Sequence, residues 1–321
     1  MLDVTALGEI LIDFTPDGKK DNGNICFERN PGGAPANVLA AVSRLGGKTA
    51  FIGKVGEDIF GNYLVNVLEQ HGINTEGIKT TSEAKTTLAF VQLDENGDRS
   101  FSFYRNPGAD TMLEKSDVNY RLIEQSKIFH FGSLTLTDEP SRSSTVAALE
   151  HAKKSGCIIS YDPNLRPALW KNAEEAKSQI ISVLSDVDIL KISEDELEFI
   201  TGTKALETGS NELRKRYNIK LVLITRGANG CYFRLGNETG DVPTFNQVKT
   251  IDTTGAGDAF LGGFLYSVLS NKFSSIKQLC KVNTIEMVRF SNAVASICTS
   301  RRGAIPAMPR LDEVMKLLKS S

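Results

Sequence analysis

The sequence predicts an α/β fold in which a mostly parallel β-sheet is covered by helices on both faces. Short apolar runs alternate with longer amphipathic stretches along most of the chain, which is the pattern of successive β-α-β units. The region after residue 255 predicts successive helices instead. Two further segments, residues 13–30 and 86–105, interrupt the alternation and predict a small additional β structure.

The strands and helices of the main sheet are assigned from this alternation. We predict strands at Val4–Ile12, Thr49–Val55, Ile128–Phe131, Cys157–Tyr161, Ile189–Ile192 and Leu221–Thr225. We predict helices at Ala36–Leu45, Asn62–His71, Arg142–Lys154, Glu174–Leu184 and Glu194–Thr201.

The two interrupting segments have the composition of short antiparallel strands. Residues 86–105 predict a hairpin, because Asn96 and Gly97 separate two segments of alternating apolar residues. Residues 13–30 hold a proline and three consecutive charged residues before a short apolar run. We expect the two segments to form a small β lid on a single domain of residues 1–321. An ordinary hairpin at the edge of the main sheet is the alternative interpretation.

Composition excludes several functional classes. Hydrophobic residues make up 40% and charged residues 24% of the 321 residues, and the formal net charge is −2. No global positive field would draw such a protein to nucleic acid or to anionic lipid. The apolar runs are also far shorter than the roughly 20 residues that a membrane-spanning helix needs. We therefore expect neither nucleic acid nor a membrane among its partners.

Cysteine usage and the first residues predict a cytoplasmic protein. The five cysteines are scattered and never in CxxC spacing, which argues against a disulfide framework and a zinc site. The first fourteen residues carry Asp3 and Glu9 and lack the basic region of a signal peptide.

Polar residues follow the predicted strands at their carboxyl ends. They are Asp13, Ser133, Asp162, Asn164, Lys191, Ser193, Glu194, Thr225 and Arg226. In open α/β sheets, ligands bind in the crevice outside the carboxyl ends of the strands. Polar residues also end strands for solubility, so this observation predicts the place of a cleft and leaves its chemistry open.

The segment Gly255-Ala256-Gly257-Asp258 is the most informative motif. Small residues at the start of a helix let backbone N–H groups point into free space and form an anion site. The helix that follows has an apolar stripe that includes Phe260 and Phe264. A glycine-rich turn with Asp258 as an ordinary first-turn acid is the structural alternative.

A second motif runs from Asn30 to Asn37. Its pair Gly32-Gly33 exposes backbone, and Asn37 lies in the first turn of the predicted helix. Amide side chains and bare backbone suit a hydroxyl-rich ligand, because each sugar hydroxyl both donates and accepts a hydrogen bond. A flexible helix entry with an incidental asparagine is the alternative interpretation.

Other nucleotide and metal motifs do not fit. A dinucleotide-binding GxGxxG would need glycine where Phe260 stands, which disfavours an NAD-dependent oxidoreductase. A Walker A loop ending at Lys48 would need glycine at Val42. The three histidines have no partner at metal-ligand spacing.

The two motifs together resemble the signatures of the ribokinase-like (PfkB) carbohydrate kinases. Residues 30–61 and 252–260 match them in the family's order and spacing, and the likeness extends over essentially the whole chain. The stretches GEILIDF, FYRNPGAD, YDPNLRPALW, LKISEDE and TRGANG are similar to those of the fructokinases. The resemblance implies a ribokinase-like three-layer sandwich and the transfer of phosphate from MgATP to a ketohexose, with D-fructose the expected acceptor and fructose 6-phosphate the product.

The resemblance also implies roles for individual residues. Asp258 would be the general base that takes the proton of the sugar hydroxyl, and Gly255, Ala256 and Gly257 would supply the anion hole. The matching sugar-binding positions are Asp13, Gly32, Gly33, Asn37, Phe101, Phe103, Arg105 and Arg166. For each arginine, a structural ion pair is the alternative.

ATP and cations are assigned by the same likeness. The matching nucleotide positions are Lys191, Ser193, Glu196, Thr225, Gly227, Gly230 and Asn292. Ser193 replaces the asparagine of the family's usual Asn-x-x-Glu motif, which leaves its role open. Mg²⁺ would be bound chiefly through ATP oxygens and water. The positions that match a potassium site are Asp252, Thr254, Cys298, Arg301, Gly303 and Ala307, several of them through backbone carbonyls.

The resemblance predicts a homodimer that pairs through the lid, and it leaves the acceptor open. Ribokinase, 2-keto-3-deoxygluconate kinase and nucleoside kinase activities remain alternatives, because one side chain in the pocket could switch among them. A catalytically silent sugar-binding regulator is the non-enzyme alternative, and the intact acid at Asp258 argues against it.

Overall fold

The computed structural model describes residues 1–93 and 99–320. In these residues, thirteen strands form two sheets. The strands are β1 (Leu2–Leu7), β2 (Leu11–Lys19), β3 (Ile25–Gly32), β4 (Thr49–Gly56), β5 (Ile73–Thr81), β6 (Leu88–Leu93), β7 (Arg99–Tyr104), β8 (Ser126–Gly132), β9 (Ile158–Asp162), β10 (Ile189–Ser193), β11 (Leu221–Thr225), β12 (Cys231–Leu235) and β13 (Glu238–Val242).

The main sheet is mostly parallel, as predicted. Its strand order is β13-β12-β11-β10-β9-β8-β1-β4-β5, and the strands from β11 to β5 all run parallel to their neighbours. The pairs β11–β12 and β12–β13 are antiparallel. Because the seven parallel strands share one direction, their carboxyl ends meet along one edge and can face one cleft.

Helices cover both faces of this sheet and complete three layers. They are α1 (Ala34–Arg44), α2 (Ile59–Gln70), α3 (Tyr120–Glu124), α4 (Ser141–Lys154), α5 (Ala173–Ser182), α6 (Glu194–Thr201), α7 (Leu206–Tyr217), α8 (Ala256–Ser270), α9 (Lys281–Thr299) and α10 (Leu311–Lys319). One core contains residues of α1, α2 and α8 to α10, and a second core contains residues of α3 to α7. The five helices predicted from apolar periodicity are all present, and successive helices follow residue 255 as expected.

Two helices of the first core, α1 and α8, pack in unusually close contact. A Cβ atom on Gly262 would lie 2.5 Å from Cβ of Ala41 and 2.8 Å from the carbonyl oxygen of Val38. Only glycine lets the two backbones approach this closely, and the contact fixes the amino-terminal ends of both helices beside each other.

The second sheet is built from the two segments that interrupt the alternation. Its order is β3-β2-β6-β7, with β2 and β6 parallel and the outer pairs antiparallel. The interpretation of residues 86–105 as a hairpin at the edge of the main sheet is therefore wrong, because β6 pairs with β2. The predicted turn at Asn96 and Gly97 lies outside the described residues.

The predicted strand Val4–Ile12 is wrong in one respect, because the structure divides it between the two sheets. Strand β1 ends at Leu7, and β2 begins at Leu11 in the other sheet. At Gly8 the chain passes against Pro35, where a Cβ atom would lie 2.3 Å from Cγ of the proline. Apolar residues continue through the break since both sides of it are buried, so the sequence pattern does not mark it.

Candidate active site

The carboxylate of Asp258 lies buried at the third residue of α8, and two asparagines donate hydrogen bonds to it. Nδ2 of Asn37, in the first turn of α1, lies 2.8 Å from Oδ2. Nδ2 of Asn164, just after β9, lies 3.3 Å from Oδ1. Burial raises the pKa of Asp258, whereas Lys191, the Asn37 hydrogen bond and Arg166 oppose that rise. The group is thus a desolvated carboxylate whose ionised form is supported from several sides.

A buried ion pair stands beside this carboxylate at the ends of two neighbouring strands. Nζ of Lys191 in β10 lies 2.8 Å from Oδ2 of Asp162 in β9, and both side chains are less than a tenth exposed. The pKa of Lys191 is raised despite its burial, because Asp162, Glu196 and Asp258 favour the ammonium form. Burial raises the pKa of Asp162 to about 7, and Lys191 opposes this rise.

The ammonium group of Lys191 reaches the amino-terminal turn of α8. A Cβ atom on Gly257 would lie 2.9 Å from Nζ, so the lysine rests directly on the glycine. Gly255, the residue that caps α8 at its amino terminus, has a φ of 72° in the left-handed region. The N–H of Ala256 donates to the carbonyl of Thr253 at 3.2 Å, so that member of the predicted anion hole is engaged within the turn. The lysine and the helix amino terminus thus both place positive charge here, next to the carboxyl groups of Asp162 and Asp258.

A cavity of about 220 Å³ opens between this turn and the second sheet. Seven residues predicted from the sequence as sugar-binding or catalytic line it with side chain or backbone: Asp13, Gly33, Asn37, Phe103, Arg166, Gly255 and Asp258. The side chain of Phe101 lies outside the described part of the structure. The structure thus brings together most of the side chains of the predicted sugar site, which lie far apart in the sequence.

The glycine pair before α1 makes room for Asp13 at the wall of this cavity. A Cβ atom on Gly32 would lie 2.1 Å from Oδ2 of Asp13, and one on Gly33 would lie 2.4 Å from the carbonyl oxygen of Glu9. The φ of Gly33 is 115°, a value that other residues rarely adopt. Burial raises the pKa of Asp13 to about 7, and the positive charge of Arg166 opposes the rise.

A second opening, of about 510 Å³, lies on the other side of Arg166. Its lining includes Asn164, Arg166, Lys191, Ser193 and Glu196. Because Asn164 and Arg166 also line the first cavity, the two openings share a wall. A small neutral molecule in the first cavity and an anionic molecule in the second would meet beside Asp258 and Lys191.

Residues 1–311 of the chain match the sequence pattern described as pfkB family carbohydrate kinase. The chain belongs to this family. It is 44% identical over 318 residues to a protein named probable fructokinase-2 from Arabidopsis thaliana, which covers 98% of this chain and 95% of that one. It is also 44% identical over 320 residues to fructokinase-1 of Zea mays, covering 99% and 98% of the two chains.

Solved structures of family members have the same fold. A fructokinase from Xylella fastidiosa with bound ATP has a TM-score of 0.92 and 36% identity, covering 100% of this chain and 99% of that one. A fructokinase from Vibrio cholerae O395 in a form with fructose, ADP and calcium ion has a TM-score of 0.87 and 34% identity, covering 99% of both chains. The prediction of a ribokinase-like sandwich is confirmed, and this pfkB family kinase is an ATP-dependent sugar kinase.

Arg105, predicted to contact the sugar, is held beneath the cavity wall in this family member. Its guanidinium group lies 2.7 Å from Asp110, 2.8 Å from the hydroxyl of Thr137 and 2.9 Å from the carbonyl of Leu134. Only 3% of the side chain is exposed. The structure therefore shows the ion-pair arrangement that the sequence left as the alternative, and Leu134, whose carbonyl Arg105 binds, lines the cavity where Arg105 does not.

Ser193 and Glu196 cap helix α6 reciprocally. Oγ of Ser193 accepts from the N–H of Glu196 at 3.1 Å, while Oε2 of Glu196 accepts from the N–H of Ser193 at 2.8 Å. Oε1 of Glu196 accepts from the N–H of Leu165 at 2.8 Å. Serine at this position therefore has a clear local role as a helix cap, and both carboxylate oxygens of Glu196 hold backbone in this structure.

Four of the residues predicted to bind the nucleotide, Thr225, Gly227, Gly230 and Asn292, lie towards the β13 edge of the main sheet. Nδ2 of Asn292 donates to the carbonyls of Val242 and Pro243, each at 3.0 Å. The turn from Gly227 to Gly230 approaches the same backbone, where a Cβ atom on Gly230 would lie 2.2 Å from the oxygen of Val242. Asn292 thus braces this edge, and Thr225 donates to the carbonyl of Ile192 at 3.4 Å.

Two loops meet at the residues predicted for a potassium ion. Oδ1 of Asp252 accepts from the N–H and the hydroxyl of Thr254 at 2.9 and 2.7 Å, and Oδ2 accepts from the N–H of Gly303 at 2.9 Å. Cys298 lies 4.0 Å from the carbonyl of Thr254. At the other two positions, the side chain of Arg301 pairs with Glu313, and the N–H of Ala307 donates to the carbonyl of Ala304. In residues 1–93 and 99–320, no cluster of three acidic, histidine or cysteine side chains could hold a metal ion.

Three residues of the site were not assigned from the sequence. Asp162 and Asn164 were noted only as polar residues at a strand end, although one pairs with Lys191 and the other with Asp258. Glu9 lies inside an apolar run, where an acid is unusual, and it lines the first cavity. A strand-end position and an isolated acid were the available signals, and the partners appear only in the folded chain.

Loss of the hydrogen bond that Asn37 donates to Asp258 should change the pH dependence of activity. This hydrogen bond stabilises the charged form of Asp258, so Asn37→Ala should raise the pKa of this carboxyl further and leave less of it ionised at neutral pH. We expect kcat/KM at pH 7 to fall by roughly tenfold, with part of the loss recovered at higher pH. The measurement is the pH profile of kcat/KM.

The matched control is Asn62→Ala, which removes an exposed asparagine from α2. It should leave the profile unchanged. If the acidic limb of the kcat/KM profile is the same in Asn37→Ala as in the wild type, the Asn37 hydrogen bond does not help to keep Asp258 ionised.

Proposed function

We propose that this protein is a fructokinase, which transfers the γ-phosphate of MgATP to D-fructose and yields fructose 6-phosphate and ADP. The observation that most supports this proposal is the buried carboxylate of Asp258 at the amino terminus of a helix. It lines a small polar cavity, and the adjoining opening contains Lys191. The 44% identity to proteins named fructokinase over nearly the whole chain supports fructose as the acceptor.

Asp258 acts as the general base. It accepts the proton of the attacking hydroxyl while Asn37 and Asn164 hold its two oxygens in a fixed orientation. A base in this position contributes on the order of 10² to 10⁴ in rate. Burial raises the pKa of Asp258, and Lys191 opposes that rise. A raised pKa is useful in a general base, because the carboxylate then takes a proton more readily.

The first turn of α8 stabilises charge on the γ-phosphoryl oxygens. The free N–H groups of a helix amino terminus bind anions, and Lys191 adds a full positive charge beside Gly257. A protein with a net charge of −2 must create this positive potential locally. Phosphoryl transfer demands chiefly such positioning and charge stabilisation.

Asp13 and Arg166 orient the two substrates from their common wall. The carboxylate of Asp13 can accept hydrogen bonds from two hydroxyls, and it stands clear of backbone because Gly32 has no side chain. Arg166 faces both openings, where its charge can reach a transferred phosphoryl group. Glu196 and Ser193 keep α6 in place beside the phosphates, and Mg²⁺, the ion that shields the phosphate charge, fits a site formed by phosphate oxygens and water.

A panel of acceptors tests the proposed function. We expect ADP release from MgATP to be fastest with fructose among fructose, ribose, 2-keto-3-deoxygluconate, glucose, tagatose, fructose 6-phosphate and adenosine. Each is measured with and without potassium, and an increase with potassium would support a cation site at Asp252 and Thr254. Preference for another acceptor would overturn fructose, and turnover of none would favour a silent sugar-binding regulator.

A substitution of the base tests the mechanism. Asp258→Asn should lower kcat by a factor on the order of 10² or more, because the amide accepts no proton at neutral pH. Nucleotide binding should persist, since the residue faces the sugar cavity and the amide keeps its size. Near-normal turnover in a folded variant would refute the role of Asp258.

The outer face of the second sheet supports a homodimer. Phe90 lies at the centre of an aromatic cluster, with ring centroids 4.9 Å from Phe14, 5.7 Å from Phe27 and 5.4 Å from Tyr104. Phe27 and Tyr104 are 42% and 67% exposed. Contiguous exposed aromatic surface marks an interaction site, and a second copy of the same sheet can cover it symmetrically. The inner face of this sheet would then close on the sugar and exclude water.

The dimer is tested by changing this cluster. The double variant Phe27→Asp, Tyr104→Asp should be monomeric in light scattering after size-exclusion chromatography, because charges would be buried at the interface. Val282→Asp, which changes a residue of α9 that is 68% exposed, should leave the dimer intact. A monomeric wild type, or a dimeric double variant, would contradict this interface.

Five free cysteines support a place in the cytoplasm, where thiols stay reduced. Three of them, Cys157, Cys231 and Cys298, are buried. In the part of the chain that the structure covers, residues 1–93 and 99–320, no helix has the length and apolar character needed to cross a membrane.

A further inference from the structure

Glu9 is a buried acid in the segment that carries the chain from the main sheet to the second sheet. Its residue is only 2% exposed, although it lines the cavity beside Asp258. Oε1 accepts a hydrogen bond from the N–H of Ala34, at the start of α1, at 2.9 Å. Oε2 is buried and has no hydrogen-bond partner among residues 1–93 and 99–320. One half of this carboxyl group therefore has a structural role, and the other half has none that the protein itself supplies.

A buried carboxylate oxygen without a hydrogen-bond partner lowers the stability of the folded protein. A buried acceptor without a partner destabilises the fold by about 1–3 kcal/mol, and by more when it is charged. Such atoms are uncommon in folded proteins and need an explanation. At the wall of a polar cavity, the simplest explanation is a partner that arrives with the ligand.

The charged neighbours of Glu9 do not supply that partner. Burial raises the pKa of Glu9 to about 7, and the backbone N–H groups of Glu9 and Ala34 oppose the rise. Among the charged groups, Asp110 adds to the rise and Arg105 opposes it. The guanidinium group of Arg105 is already bound to Asp110, Thr137 and Leu134.

The other charged side chains that line the cavity, those of Asp13, Asp258 and Arg166, do not donate a hydrogen bond to Oε2 either. Asp13 and Asp258 are acceptors as carboxylates, and Arg166 donates to the carbonyl of Leu165 at 3.2 Å. A hydroxyl group on the ligand can donate to Oε2 when Glu9 is ionised and accept from it when Glu9 is protonated.

We propose that Glu9 contacts the sugar directly, with Oε2 bound to one hydroxyl group of the ketohexose while Oε1 holds the amino terminus of α1. The inference rests on the proposed fructokinase activity and adds a residue that determines which sugars bind. A sugar without that hydroxyl leaves Oε2 buried and unpaired at the cavity wall. Sites that bind a hydroxyl in this way reject analogues that lack it.

The same carboxyl couples the sugar to the base through a short chain of contacts. Oε1 fixes the N–H of Ala34, and three residues further along α1 the side chain of Asn37 binds Asp258. Glu9 therefore contacts the sugar and positions the helix that orients the base. A test must separate these two roles, because loss of either lowers activity.

Removal of single hydroxyls from the sugar separates them. The KM values of fructose, 1-deoxyfructose, 3-deoxyfructose and 4-deoxyfructose are measured with the wild type, Glu9→Ala and Glu28→Ala. Glu28 is an exposed acid on β3 and serves as the matched control. A pH profile would not separate the roles, since Asp13 also has its pKa raised to about 7.

We expect one deoxy sugar to raise the wild-type KM by roughly tenfold relative to fructose, and the same sugar to differ from fructose by less than twofold with Glu9→Ala. The Glu28→Ala enzyme should repeat the wild-type pattern. If every deoxy sugar raises KM by the same factor in the wild type and in Glu9→Ala, Glu9 touches no hydroxyl and the inference is overturned, even where kcat has fallen.

A conservative variant keeps the test decisive if Glu9→Ala does not fold. Glu9→Gln preserves an oxygen for the N–H of Ala34 and weakens the contact with the sugar, because a neutral group forms a weaker hydrogen bond than a charged one. The tenfold difference in KM between that deoxy sugar and fructose should fall to roughly threefold in Glu9→Gln. A Glu9→Gln enzyme with the same difference as the wild type would overturn the inference.

Turnover of fructose by the wild-type enzyme tests the proposed function independently of Glu9. Absence of wild-type turnover with fructose overturns the fructokinase assignment, and the comparison is then made with the deoxy forms of whichever sugar in the panel is phosphorylated. Absence of turnover with every sugar overturns both.

Discussion

The central constraint on this molecule is that the carboxyl group of Asp258 is buried and needs neighbouring groups that stabilise its ionised form. Burial favours the protonated form of Asp258, and the surrounding groups oppose it: an amide from Asn37, another from Asn164 and the charge of Lys191. None of these partners is adjacent to Asp258 in the chain. The rest of the structure can be understood as the framework that holds them within hydrogen-bonding or electrostatic range.

That framework uses two general properties of α/β folds. Parallel strands place Asp162 and Lys191 side by side where β9 and β10 end, and close packing at Gly262 sets the amino termini of α1 and α8 against each other. Strand ends thus supply a buried ion pair, while helix ends supply an amide and a positive N–H cluster. A sugar and a polyphosphate can meet there with little demand on the overall charge of the protein.

The second sheet is joined to this centre by a short, tightly packed segment. Gly8 presses on Pro35, Glu9 binds the N–H of Ala34 and Gly33 lies against the carbonyl of Glu9. This segment therefore connects the second sheet directly to the first turn of α1, where Asn37 donates a hydrogen bond to Asp258.

The sequence by itself determined the fold class, the family and the turn that carries Asp258, because glycines, helix caps and apolar periodicity act over a few residues and leave a local record. Only the tertiary structure decided where the chain leaves one sheet for the other at Gly8, that Arg105 lies beneath the cavity wall, and that Glu9 has an unpaired oxygen in it. Each of these depends on partners 25 or more positions away or on the packing of several elements. The pattern of apolar residues is the same on either side of such a contact, so it carries no information about which polar group meets which.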